Sequence, residues 1–162
     1  MSGMSRKSLL AAALLVLAAC AHGTAVAPDI VGTWRLVEYW NRESEAQPKS
    51  YPFGEQPLGF IVYDRAGNVF VQIAKNPQPP RLSREDLRRL GAAELRDTIE
   101  NYVSYFGTYT VDAARGVVTH HVTADARREY TGTDQPRPFH IEGDELIIGD
   151  SKRWLRRLVR VR

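Results

Sequence analysis

Apolar and polar side chains alternate with a period of two over most of the chain. The alternating segments lie at about 31–40, 58–64, 68–74, 103–111, 117–125, 135–142, 145–149 and 153–161, and they are rich in Val, Ile, Tyr, Trp and Thr. Turn residues punctuate them: Asp64-Arg65-Ala66-Gly67, Ala113-Ala114-Arg115-Gly116 and the two-residue Gly143-Asp144 each end or begin on a glycine where the backbone must take a positive φ. Eight such strands in about 130 residues predict an all-β fold, an eight-stranded antiparallel barrel. Between the third and fourth strands the period lengthens. Ser83 with Asp86 reads as an N-terminal cap, and Leu87, Leu90, Leu95 and Ile99 form a loosely helical apolar stripe that Gly91 weakens. One helical insertion lying against a barrel end is expected there.

Loop length fixes which residues stand opposite each other, so the hairpins predict faces. A two-residue loop at 143–144 puts Ile141 opposite Leu146 and Phe139 opposite Ile148, and the same face continued back places Arg137 near Asp150. A four-residue loop at 113–116 pairs Val111 with Val118, Tyr109 with His120 and Gly107 with Val122, so Tyr105, Tyr109 and His120 are expected inside. Both faces of the 58–74 hairpin are apolar, and its inward side stays open.

The N-terminus follows a different rule. Arg6 and Lys7 precede an apolar run of eleven residues, Leu9 to Ala19, which is too short for the roughly 20 residues of a membrane-spanning helix and suits a signal peptide. Leu17-Ala18-Ala19-Cys20 resembles a bacterial lipobox, so Cys20 is expected to be acylated once residues 1–19 are removed. Residues 20–29 then form a tether and 30–162 the barrel domain. Ala21 after the cysteine resembles the pattern that sorts lipoproteins to the outer membrane, facing the periplasm. The single cysteine excludes an internal disulfide and any cysteine-based zinc site. Loss of Arg6 and Lys7 takes the 22 basic residues to 20 against 19 acids, so the formal charge of +3 becomes about +1 in the mature chain.

Gly32-Thr33-Trp34-Arg35-Leu36 in the first strand resembles the Gly-x-Trp signature of lipocalins and calycins. The segments Tyr51-Pro52-Phe53-Gly54, Gly59-Phe60-Ile61-Val62-Tyr63, Tyr105-Phe106-Gly107-Thr108-Tyr109, Val118-Thr119-His120-His121-Val122 and Gly132-Thr133-Asp134-Gln135-Pro136-Arg137 are similar, in the same order, to the bacterial and fungal lipocalin-like domain family. The resemblance implies a barrel that holds a small apolar or amphipathic molecule, with Trp34 closing the floor under a basic residue of the last strand. Arg157, between Leu155 and Val159, is the expected partner of Trp34. The later Thr-Asp-Tyr motif of classical lipocalins is absent.

The candidate ligand-binding residues are Trp34, Glu38, Tyr63, Tyr105, Tyr109, His120 and Arg137. His120 admits three readings: ligand contact, a satisfied core histidine, or general acid/base work with Tyr109 in an isomerase, cyclase or hydrolase acting on a hydrophobic metabolite. Glu38, on the Trp34 face, and Arg137 are expected to point inward. Arg137 then meets Asp150, Glu38 or a ligand carboxylate, or else keeps its head in water at the rim. His120 and His121 are adjacent and face opposite ways, so no metal site is expected, nor any cofactor. No nucleophile elbow, phosphate loop or nucleotide fingerprint occurs. The basic stretch Lys152 to Arg162 alternates with apolar residues as a barrel wall does. Neither nucleic acid nor a second copy of the chain is expected as a partner, only a small hydrophobic ligand and the membrane.

Overall fold

The computed structural model describes residues 29–162, so Cys20, His22 and the leader lie outside the described residues. The strands are β1 (Gly32–Asn41), β2 (Leu58–Tyr63), β3 (Asn68–Ala74), β4 (Tyr102–Asp112), β5 (Val117–Asp125), β6 (Asp134–Glu142), β7 (Glu145–Gly149) and β8 (Trp154–Arg160). Each pairs antiparallel with the next, and β8 returns to β1 to close the barrel. Closure leaves no sheet edge unpaired. The two hairpins behave as loop length dictates: Ile141 stands opposite Leu146, Phe139 opposite Ile148, Val111 opposite Val118 and Tyr109 opposite His120.

The ambiguous hairpin resolves with Ile61, Tyr63, Val69, Val71 and Ile73 buried inside. Its outer face carries Phe60 and Phe70, and Phe106 of β4 stands opposite Phe70; all three are more than two-fifths exposed. β1 carries the main departure from simple alternation. A bulge between Leu36 and Glu38 shifts its register against β8, so Leu36 faces Leu158, Glu38 faces Arg157 and Tyr39 faces Arg156. One extra residue reverses every later side chain. Tyr39 therefore takes the inner side, and the expectation that Glu38 points inward is corrected: its carboxylate lies on the outer wall, accepting from Arg157 Nε at 3.2 Å.

The same register corrects the floor. Leu158 is wholly buried opposite Leu36 and Leu146, which fixes its neighbours two residues away, Arg156 and Arg160, as inward. Arg157 faces out, between Glu38 and Glu145. Its apolar neighbour Leu155 also faces out, opposite Trp40, which is buried on the outer side beneath Lys49. Arg160 is the residue that covers Trp34, its guanidinium carbon 4.1 Å from the indole centroid. That head donates to the carbonyls of Val31 at 2.8 Å and Asp29 at 2.9 Å, and the indole N–H donates to the Ile30 carbonyl at 2.8 Å. Gly32 has φ 145°, and a Cβ there would lie 2.7 Å from Arg160 Nη1. The glycine two residues before the tryptophan thus leaves room for the arginine that covers it.

The insertion forms two short helices rather than one, α1 (Arg84–Arg89) and α2 (Ala92–Glu100). Ser83 and Asp86 exchange hydrogen bonds in a capping box that starts α1. Leu90 turns extended and Gly91 starts α2, its N–H donating to Glu94 at 2.8 Å, so the weak glycine of the stripe is the break itself. Leu87, Leu95 and Ile99 stay nearly half exposed instead of packing on the barrel end. Gly54, at φ 82°, lets the segment 51–54 fold back against the Asn76 carbonyl, and Phe53 is carried into the mouth of the barrel, 2% exposed.

The floor geometry predicts that Arg160→Ala costs about 2 kcal/mol, from a lost cation–π contact and orphaned carbonyls. Arg157→Ala, on an exposed pair, costs less than about 1 kcal/mol. Urea unfolding monitored by tryptophan fluorescence measures both; the reverse order would show that Arg157 holds the floor.

Candidate functional site

The interior is organised around His120, which is fully buried. Tyr63 meets its Nε2 at 2.8 Å and Tyr105 meets its Nδ1 at 2.8 Å. Burial, then the positive charge of Arg137, then His121 hold the pKa of His120 down to about 3. The ring is neutral at pH 7, with one donor and one acceptor nitrogen. Tyr63 is enclosed and its hydroxyl has no bond among the described residues other than the one to His120, so its proton goes to Nε2, because the opposite tautomer would strand a buried O–H at a cost of about 1–3 kcal/mol. Nδ1–H then donates to Tyr105, and the hydroxyl proton of Tyr105 is left free. Tyr105 lines a cavity, whereas Tyr63 does not.

This cavity has a volume of about 70 Å³. Ile61, Val71, Ile73, Val103 and Ile148 form its aliphatic side, and Tyr39, Tyr105, Tyr130, His120, Arg137 and Arg156 form its polar side. Arg156 lies with its guanidinium carbon 3.2 Å from the centroid of Tyr39 and donates to the Trp40 carbonyl and to Asn41 Oδ1, both at 2.9 Å. Burial pulls its pKa down to about 10, with Arg137 acting in the same direction, so it remains charged at pH 7. Arg137 lies between Tyr130 and Trp154, 5.9 Å from each ring centroid, and its buried Nε has no hydrogen-bond partner among the described residues. Burial opposes its charge and Tyr105, Tyr130, Tyr63 and Tyr39 outweigh that, which sets its pKa above the ordinary arginine value. Burial raises the pKa values of Tyr63 and Tyr105, so neither supplies an anion at pH 7.

Neither Arg137 nor Arg156 has a carboxylate within 4.0 Å among the described residues. The expected meeting of Arg137 with Asp150 does not occur. Asp150 Oδ1 instead accepts from the N–H groups of Lys152, Arg153 and Trp154, closing the turn before β8. Glu38 is removed by the bulge. Asp125, the acid that lines the cavity, is engaged by its own turn, accepting from the N–H groups of Arg127 and Tyr130.

Of the residues singled out from sequence, Tyr63, Tyr105, His120 and Arg137 come together, and Trp34 forms the floor. Tyr109 stands opposite His120 but its hydroxyl donates to the Asp64 carbonyl at 2.9 Å, so the expected Tyr109–His120 acid/base pair is not formed. Tyr39, Tyr130 and Arg156 were missed. The wholly apolar Leu158 between Arg156 and Arg160 was the available signal for Arg156; nothing in the alternation announces the bulge that turns Tyr39 inward.

The outer wall holds a second arrangement. Thr110 Oγ1 lies 3.0 Å from His121 Nε2, and His121 Nδ1 lies 2.6 Å from Asp134 Oδ1. The order is that of a nucleophile, base and orienting acid. Yet neither Thr110 nor His121 lines the interior cavity or the groove at the mouth, and acyl transfer needs a substrate site with oxyanion donors. The chain acts as a cross-strand hydrogen-bond ladder. Among the described residues no three His, Cys, Asp or Glu side chains come together in a metal-binding group.

The eight antiparallel strands close into a barrel with a polar-ended interior cavity, a class of fold able to enclose one small molecule. The sequence model of the lipocalin-like domain family matches residues 31–156, and the chain belongs to that family. No curated protein matches the chain.

His120 has a folded pKa near 3 against an ordinary 6.5, so its contribution to stability is complete above pH 6.5. Between pH 6.5 and 3 the unfolded chain binds the extra proton, and stability falls by about 1.4 kcal/mol per pH unit. Urea midpoints across this range are expected to lose that component of the slope in His120→Gln; an unchanged slope would contradict a neutral, buried His120. Arg137→Leu in the ligand-free protein is expected to raise stability by about 1–3 kcal/mol, because it removes a desolvated charge with no counter-ion. A fall of that size would mean the arginine holds the fold together.

Proposed function

We propose that this protein is a lipid-anchored envelope protein that holds a small apolar or amphipathic molecule in its barrel. The observation that carries the binding reading is the interior cavity itself, aliphatic on one side and phenolic and cationic on the other. A barrel filled for stability alone gains nothing from Arg137 and Arg156, neither of which has a carboxylate within 4.0 Å among the described residues, since apolar side chains of similar volume would pack there at lower cost. Family membership supports small-molecule binding as the use of the barrel.

The anchor rests on the sequence Leu17-Ala18-Ala19-Cys20, with Ala21 favouring the outer membrane and a periplasm-facing domain. Acyl chains on Cys20 hold the protein at the bilayer, each buried methylene contributing about 0.8 kcal/mol. In this reading the protein works as a monomer with the membrane and one small ligand as its partners.

A clickable fatty acid fed to producing cells is expected to label the wild-type chain and not Cys20→Ser; equal label on both would remove the anchor. For the barrel, titration of the full chain in nanodiscs with the neutral fluorophore N-phenyl-1-naphthylamine, blanked against empty discs, is expected to give saturable enhancement at one site per chain. Titration indistinguishable from the blank would count against a binding barrel.

A further inference from the structure

The polar end of the cavity has a donor set, and its composition says more than amphipathic. Arg137 presents a guanidinium whose Nε is enclosed and without a partner. Tyr105 presents a hydroxyl whose oxygen is taken by His120 Nδ1–H and whose proton is free, by the tautomer argument above. Arg156, already engaged by the Trp40 carbonyl and Asn41, adds a second positive charge on the same side. The lining acid, Asp125, accepts from its own turn, and the rings of Tyr130 and Tyr39 lie beneath the guanidinium groups of Arg137 and Arg156, so positive charge outweighs negative at this end of the cavity.

We infer that the barrel binds its ligand by a carboxylate head held by Arg137 and Tyr105, with the apolar body of the ligand running out to the groove between Phe53 and α2. This rests on the binding reading proposed above and names the ligand class for that site. A planar guanidinium edge gives two parallel N–H···O bonds to the two oxygens of a carboxylate, and the Tyr105 hydroxyl supplies a third donor to the same group. The volume agrees: about 70 Å³ accepts a small head group and no long chain, so the rest of the molecule must leave through the mouth.

The way out is lined by residues the two spaces share. Tyr39 and Arg127 border both the interior cavity and an open groove of about 680 Å³ at the mouth. Phe53, Leu95 and Ile99 give that groove its apolar side. Leu95 and Ile99 lie on a side of α2 that stays nearly half exposed. Phe53 sits edge-on to Tyr39 at 4.8 Å with Arg127 5.9 Å from its ring centroid, so the apolar surface continues from the cavity to the helix. Arg127 is tied to the mouth by bonds to the carbonyls of Glu100 and Tyr102, at 2.8 and 2.9 Å.

Calorimetric titration of the full chain in nanodiscs with octanoate, octanol and octylammonium, blanked against empty discs, tests the head group. Octanoate is expected to bind at least tenfold tighter than octanol, with octylammonium weakest. In Arg137→Leu the octanoate advantage is expected to collapse towards one. Tyr105→Phe, which removes a single oxygen, is expected to reduce it several-fold and carries the test alone if Arg137→Leu does not fold. Equal affinity for octanoate and octanol in the wild type, or an advantage untouched by both substitutions, would overturn the carboxylate site while leaving a binding barrel intact. Binding of none of the three probes would overturn the barrel reading as well.

Discussion

The bulge in β1 between Leu36 and Glu38 decides the chemistry of the barrel interior. Up to Leu36 the strand sends Trp34 and Leu36 inward; with unbroken alternation the next inward residue would be Glu38, beside the inward arginines of β6 and β8. The extra residue instead turns Glu38 out to Arg157 and Tyr39 in, under the Arg156 guanidinium. An acid that could have neutralised the interior is thereby replaced by an aromatic ring, which shields a cation without cancelling its charge. The unpaired state of Arg137, the stacking of Arg156 and the outer ladder Glu38–Arg157–Glu145 all depend on this one register shift.

What the chain reveals before folding and what it hides divide along the same physical line. Hairpin pairs such as Ile141–Leu146 and Tyr109–His120 are set by loop length alone, a local quantity, and the sequence carries it. The barrel follows from eight alternating segments, and the floor from Gly32 and Trp34. The face of β8 depends on its non-local neighbours, Leu36 and Leu146, and the apolar pair Leu155 and Val159 points to the wrong side because Trp40 makes the outer wall apolar there. A bulge has no residue signature in this strand, so Tyr39 and Arg156 could not be placed from alternation. In the insertion, Ser83 and Asp86 specify a helix start within four residues, whereas the fate of Leu95 and Ile99 depends on what the distant mouth offers them.

Stability and use pull in opposite directions at the centre of the barrel. The Tyr63–His120–Tyr105 chain satisfies its own groups and leaves one proton over, while Arg137 is left with a desolvated donor. A small domain has only about 5–15 kcal/mol of net stability, so a charge without a counter-ion is a substantial fraction to forgo. The closed sheet and the aliphatic wall of Ile61, Val71, Ile73 and Ile148 supply the stability that tolerates it. Such a deficit fits the proposed binding site, whose ligand would supply the missing partner.

The protonation states argue between holding and transforming a ligand. General acid/base catalysis is most effective when the group that moves the proton titrates near the working pH. Here burial pushes the interior groups away from neutrality in both directions: His120 down to about 3, and Tyr63 and Tyr105 above their ordinary value. Each is locked in its uncharged form, and the groups that remain charged are arginines, which do not exchange protons in this range. An interior of neutral hydrogen-bond partners around fixed positive charge is suited to recognising an anion and poorly suited to shuttling a proton. The same argument explains why the histidine is so deeply placed: a neutral His120 bridging two phenols orients the Tyr105 hydroxyl without adding a third positive charge beside Arg137 and Arg156.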